Sequence, residues 1–216
     1  MQPDRFVRLL GEVKASAILR TRIEEAVRPA MEAAIRGGFR IVEFTLNTPG
    51  ALDGIAEFSR REGLVVGAGT VLSVEEARDA VRAGASFLVS PVIDEAVIEE
   101  ASSLGVAAMP GTHTPTEMQR AYRAGAPLQK LFPAPGIGAA YVRACLGPMP
   151  FLRIVPTSGV DETNAADYLA AGAHAVGFVA PLFDAEELRA GRFDRIEQRA
   201  RSLLDRVGGG PARLKP

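Results

Sequence analysis

The stretch RGGFRIVEFTLNT, Arg36 to Thr48, contains the unit from which the rest of the chain is built. A helical pattern runs into Gly38, and a short run of β-branched and aromatic residues follows at once. Glycine suits the left-handed residue just past a helix, and a run of about four to six such residues between breakers reads as a strand. The same unit recurs as REGLVVGAG at Gly63, RAGASFLVS at Gly84, SLGVAAMPG at Gly105, RAGAPLQKLF at Gly125 and AAGAHAVGF at Gly172. With Gly147 of CLGPMPFLRIV in the one double interval, successive glycines lie 20 to 25 residues apart, which is the period of one strand plus one helix.

The reading predicts strands at 15–19, 40–46, 64–68, 86–90, 106–109, 128–132, 152–156 and 175–178. Short strands alternating with amphipathic helices imply parallel pairing with helices outside. The expected fold is therefore α/β, a single-domain (β/α)8 TIM barrel over residues 1–206 with an N-terminal helix. An open doubly wound sheet has the same periodicity. The tail GGGPARLKP has no apolar period, and residues 207–216 are expected to be disordered.

With 25 basic and 26 acidic residues, the chain has no long-range field to draw a nucleic acid or an anionic membrane. No run approaches the ~18 apolar residues of a membrane span. A single cysteine, Cys145, rules out an intrachain disulfide framework. The stretch MQPDRFVRLLGEVKAS spaces Phe6, Val7, Leu9, Leu10 and Val13 along one helical face and lacks the apolar core of a signal peptide. The chain is expected to be cytoplasmic, with a small-molecule partner and neither nucleic acid nor membrane.

Alternation along 40–46 and on to Asn47 puts Ile41, Glu43, Thr45 and Asn47 on one face, and Val42, Phe44 and Leu46 on the other. The wholly apolar face should meet the helices, which turns the carboxylate inward. In PLQKLFPAP, Pro127 to Pro135, Lys130 shares its face with Leu128 and Phe132. Only three of the 25 basic residues are lysines, so its place inside an apolar strand is notable. Interiors of such barrels are filled with branched apolar side chains, and their chemistry sits at the C-terminal strand ends. Glu43 and Lys130 therefore read either as a structural ion pair or as a catalytic pair. Arginine stays protonated, whereas a poorly solvated lysine can lose its proton and attack a carbonyl carbon.

Further polar groups fall at the same rim: Arg20, Thr70 in GAGT, Ser90-Pro91, Thr112-His113, and Thr157-Ser158-Gly159. Each alone reads equally as a cap or a turn. Gly67 and Gly69 would let the backbone approach a ligand near Thr70. Ser158-Gly159, ahead of helical sequence from about Asp161, would suit a phosphate. Two histidines, His113 and His174, are too few for a three-histidine metal site, so no metal and no cofactor are expected.

IVEFTLNT around Glu43, GAGTVL at 67–72, SP at 90–91, PGTHTPTE at 110–117, QKLFPA at 129–134 and PTSGV at 156–160 together resemble the KDPG/KHG aldolase family. The resemblance runs over about residues 12–206 and implies a metal-independent class I pyruvate aldolase, usually a homotrimer. It makes Lys130 the Schiff-base lysine and Glu43 the general acid/base, with Thr70 on the pyruvyl carboxylate and Phe132 lining the pocket. The implied substrate-binding set is Arg20, Asn47, Thr70, Pro91, Phe132, Thr157, Ser158, Gly159 and Gly177. The implied reaction cleaves a 2-keto-3-deoxy-6-phospho sugar acid to pyruvate and glyceraldehyde 3-phosphate.

Two departures bear on the substrate. Asn47 stands where gluconate-type members carry arginine, and AILR ending at Arg20 with LNTP at 46–49 looks more like the phosphogalactonate branch. Phe178-Val179 stands where a Gly-Ser completes the family's phosphate site, which narrows the expected space. Alternatives are thus an aldolase for a non-phosphorylated acid, such as 4-hydroxy-2-oxoglutarate or 2-keto-3-deoxygluconate, and a non-catalytic sugar-acid-binding barrel.

Overall fold

The computed structural model describes residues 1–208, so of the tail expected at 207–216 the part from 209 onward lies outside the described residues. The strands are β1 (Ala15–Leu19), β2 (Ile41–Thr45), β3 (Val65–Gly69), β4 (Phe87–Val89), β5 (Ala107–Met109), β6 (Gly111–Thr112), β7 (Gln129–Leu131), β8 (Ile154–Pro156) and β9 (Val176–Phe178). The helices are α1 (Pro3–Val13), α2 (Glu24–Arg36), α3 (Ala51–Phe58), α4 (Val74–Ala83), α5 (Glu95–Ser103), α6 (Pro115–Arg123), α7 (Ala139–Leu146), α8 (Ala165–Ala170), α9 (Ala185–Arg189) and α10 (Phe193–Arg206). Every expected strand is present, with boundaries shifted by at most two residues. Six of the seven repeat glycines have φ between 71° and 120°, as a residue leaving a helix requires. Gly147 is the exception, with φ of −52°.

The one closed eight-stranded sheet expected from the repeat is not what the hydrogen bonds define. They give two parallel sheets, β5-β4-β3-β2-β1-β9 and β6-β7-β8. The fifth expected strand, 106–109, is present as β5 and ends before Pro110, which has no N–H to give to a ladder. It pairs with β4, and beyond Pro110 a short strand not expected from the repeat, β6, pairs with β7. At the other junction a single parallel bridge links Thr157 to Gly177.

Strand alternation sorts the side chains as expected. Val42, Phe44, Val66, Leu88, Ile154 and Phe178 face the helices in one large core. Ile41, Val65, Phe87, Leu128, Val155 and Ala175, drawn from both sheets, meet in a second core with Phe6, Leu10 and Val13 of α1. Phe6 stacks on Phe87 with centroids 4.3 Å apart. The His174 ring donates through Nε2 to the Val7 carbonyl at 2.8 Å. Each buried Phe or Leu contributes about 1.5–3 kcal/mol, so α1 is held as a floor beneath the starts of the strands. No described helix is long and apolar enough to cross a membrane.

Candidate functional site

Glu43 in β2 is 0% exposed and Lys130 in β7 is 3% exposed. Both strands are parallel, and alternation turns these two side chains away from the helices, as it does Ile41 and Leu128. Arginines elsewhere pair on the surface: Arg78 with Glu100 at 2.9 Å, and Arg199 with both Glu187 oxygens at 2.7 and 2.8 Å. The buried pair behaves differently. Both Glu43 carboxyl oxygens lack a hydrogen-bond partner, and the two residues form no salt bridge among the described residues.

Burial is the largest influence on each group. It pushes the Glu43 carboxyl above the usual carboxylate range, against the opposing charges of Lys130 and then Arg20. It pushes the Lys130 amine below the usual lysine range, opposed by Glu43 and assisted by Arg20. A structural ion pair would need both charges and direct contact. What stands here instead is an amine and a carboxyl that burial shifts each toward its neutral form, with no salt bridge between them.

Two glycines make room for this arrangement, though not in the way the sequence suggested. A Cβ on Gly69 would run into the Glu43 carboxyl, and one on Gly67 would run into the Phe87 ring. These glycines admit protein side chains rather than a ligand.

Around the pair, the Phe132 ring centroid lies 5.0 Å from the Lys130 Nζ. Pro91 and Gly111 bring their backbones into contact where no side chain fits between them. A cavity of about 260 Å³ opens beside Phe132, lined also by Pro91, Gly111, Thr112 and His113. A larger groove of about 700 Å³ between α5 and α6 carries surface side chains and neither member of the pair.

Thr70 and Ser158 have φ of 58° and 59°, two of the three left-handed non-glycine residues described. Each costs roughly 1–2 kcal/mol. Gly159 follows with φ of 96°.

The only buried side-chain N or O atoms without a partner among the described residues belong to Ser16, Glu43 and Thr157. Register brings them together: Ser16 is paired with Gly177, Gly177 is bridged to Thr157, and Ile18 is paired with Glu43. The point where a Gly177 Cβ would sit is 2.5 Å from the Thr157 methyl and 3.5 Å from the Ser16 hydroxyl. Ser16 was not singled out from the sequence. Its alternation with Ile18 and Arg20 was the available signal.

Three sequence expectations need correction. Asn47 is not on a strand face; β2 ends at Thr45, and Asn47 lies exposed in the following turn. The helix expected from about Asp161 begins at Ala165, so Ser158-Gly159 does not sit at its start. Phe178 does not narrow the site, because its ring is fully buried on the helix side, edge-on to Phe39 at 6.2 Å.

The sequence profile of the family described as "KDPG and KHG aldolase" matches residues 8–199. A parallel α/β chain with this match is a carbon–carbon lyase of the pyruvate-dependent kind. The chain belongs to the KDPG and KHG aldolase family. It is 35% identical over 189 residues to the "2-dehydro-3-deoxy-phosphogluconate aldolase" of Treponema pallidum (strain Nichols), covering 87% of this chain and 90% of the relative. It is 36% identical over 200 residues to the "Probable 2-dehydro-3-deoxy-6-phosphogalactonate aldolase" of Rhizobium meliloti (strain 1021), covering 90% and 92%. A solved structure described as "Native KDPGal structure" superposes with a TM-score of 0.81 at 29% identity, covering 90% of this chain and 94% of the other.

Proposed function

We propose that the two sheets are arcs of one (β/α)8 barrel, and that within it the chain cleaves a 2-keto-3-deoxy-6-phospho sugar acid to pyruvate and glyceraldehyde 3-phosphate. The Thr157–Gly177 bridge and the inner core shared by both sheets support the barrel. The observation that carries the chemistry is the buried Lys130–Glu43 pair, with both groups driven toward their neutral forms.

The Lys130 amine attacks the C2 carbonyl carbon, and its proton passes to the carbonyl oxygen to give a carbinolamine. The Glu43 carboxyl protonates that hydroxyl, water leaves, and an iminium remains beside a carboxylate. The carboxylate then takes the C4 hydroxyl proton as the C3–C4 bond breaks. The bond's electrons run into the iminium, giving an enamine and the aldehyde. Glu43 returns the proton to C3, and water hydrolyses the resulting iminium to pyruvate and free Lys130, the proton released restoring the Glu43 carboxyl.

Thr70, Arg20 and Asn47 hold the keto-acid end in this reading. Thr157, Ser158, Gly159 and Gly177 take the far end, with Pro91 and Phe132 as walls. The outward-facing Phe178 removes its own share of the steric objection to a phosphate and leaves that of Val179, half-buried just after β9. A homotrimer is part of the same proposal, supported by Leu72 and Val92, which are 50% and 51% exposed just after β3 and β4.

Borohydride reduction in the presence of pyruvate should add a three-carbon fragment at Lys130, read by mass spectrometry of the digested protein. An adduct at another residue, or none, refutes the mechanism. Steady-state comparison of phosphorylated and dephosphorylated acids should favour the phosphorylated one at least ~10-fold, the loss expected when one good charged contact is missing.

A further inference from the structure

Arg20 is exposed and belongs to no salt bridge among the described residues, yet its charge bears on both Glu43 and Lys130. The backbone on either side of it is tied down by two buried hydroxyls. The Thr48 hydroxyl accepts from the Thr21 N–H at 3.3 Å. The Thr45 and Thr48 hydroxyl oxygens lie 2.9 Å apart. The Thr45 hydroxyl donates to the Leu19 carbonyl at 3.2 Å, nearer than Thr48 at 3.5 Å.

A threonine hydroxyl has one proton to give. One assignment satisfies every short contact: Thr21 N–H to Thr48, the Thr48 hydroxyl to Thr45, and the Thr45 hydroxyl to Leu19. This relay closes across Arg20, because Leu19 and Thr21 are its neighbours. A separate backbone bond, from the Thr48 N–H to the Thr45 carbonyl at 2.8 Å, closes the turn that presents Asn47. Thr45 and Thr48 are 0% and 3% exposed, so water does not replace these bonds.

We propose that Thr48, acting through Thr45, is a positioning residue that fixes Arg20, beside the backbone-closed turn of Asn47, as a preset anion-binding group for the substrate's carboxylate. This rests on reading Arg20 as a substrate contact. An arginine on a free loop loses freedom when it binds; one whose backbone is already fixed loses less. Valine matches the shape of threonine but cannot carry the relay.

The test is steady-state kinetics with a 2-keto-3-deoxy-6-phospho acid for Thr48→Val, Thr48→Ser, Arg20→Ala and the Arg20→Ala/Thr48→Val pair, each checked for folding by circular dichroism. Thr48→Ala serves if the valine variant does not fold. Arg20→Ala should raise KM by about tenfold or more, and Thr48→Val by roughly fivefold with kcat within about twofold. Thr48→Ser should restore the parental KM. In the double variant, Thr48→Val should add nothing to Arg20→Ala, because there is no longer a guanidinium to position. If Arg20→Ala binds substrate like the parent, the reading of Arg20 is wrong and the proposal goes with it. If Arg20→Ala is impaired while Thr48→Val keeps the parental KM, or the two effects add, the positioning role alone is overturned.

Discussion

Replacing Gly69 by alanine adds one methyl group, aimed at the Glu43 carboxyl. The new Cβ would stand 2.7 Å from the carboxyl carbon and 3.0 Å from Cγ, and closer still to one oxygen. Optimal carbon contacts lie at about 3.5–4.0 Å, so the carboxyl must move by roughly 1 Å. A displacement of that size in a reacting group costs about 10²-fold in rate, which corresponds to about 2.7 kcal/mol of barrier. Crowding a packed interior costs about 1–3 kcal/mol of stability. Restricting the unfolded chain returns about 0.4–1 kcal/mol. The net loss of stability is therefore at most ~2–3 kcal/mol, less than a domain's typical ~5–15 kcal/mol.

The expected result is a folded protein with about a hundredth of the parental kcat, measured by coupling pyruvate release to NADH oxidation, with stability followed by urea titration. The double variant Gly69→Ala/Glu43→Gln should be no slower than Glu43→Gln alone. A Gly69→Ala enzyme within about threefold of the parent would refute both the placement of Glu43 and its role in proton transfer.

Two further outcomes follow from the site. In Glu43→Gln, the charge that holds the Lys130 proton on is gone, since Glu43 opposes the fall of the lysine's pKa. The acid limb of pyruvate trapping at Lys130 should therefore move to lower pH, even as turnover collapses; a move to higher pH would contradict the coupling. Thr70→Gly relieves a left-handed residue with φ of 58°, worth about 1–2 kcal/mol, and adds about 0.4–1 kcal/mol of freedom to the unfolded chain. Urea midpoints should hold or rise slightly while KM for pyruvate rises; an unchanged KM would remove Thr70 from the carboxylate site.

How much could be read beforehand depended on which physical rule governed each residue. Strand positions and the inward turn of Glu43 and Lys130 follow from local periods, with Gly38, Gly84 and the other repeat glycines marking each helix exit. Alternation was equally able to send Phe178 outward, but the comparison with a Gly-Ser site hid that consequence. Gly67 and Gly69 read as room for a ligand because a missing side chain does not reveal what fills its place; only the fold brings Phe87 and Glu43 there. The break at Pro110 was legible in principle, since proline withholds a ladder donor. Ser16 and Thr48 were not, because each acts through a partner on another strand or loop. Thr48 depends on Leu19 and Thr21, more than 25 residues earlier in the chain.

Helix α1, with Phe6 pressed against Phe87 and His174 fastened to Val7, stoppers one end of the fold. In the proposed barrel that leaves a single mouth, and a vessel with one mouth imposes an order on its traffic. The fragment joined to Lys130 lies deepest, so the aldehyde must depart before pyruvate can. Run backwards, the enzyme must load pyruvate first, and an aldehyde arriving early obstructs it.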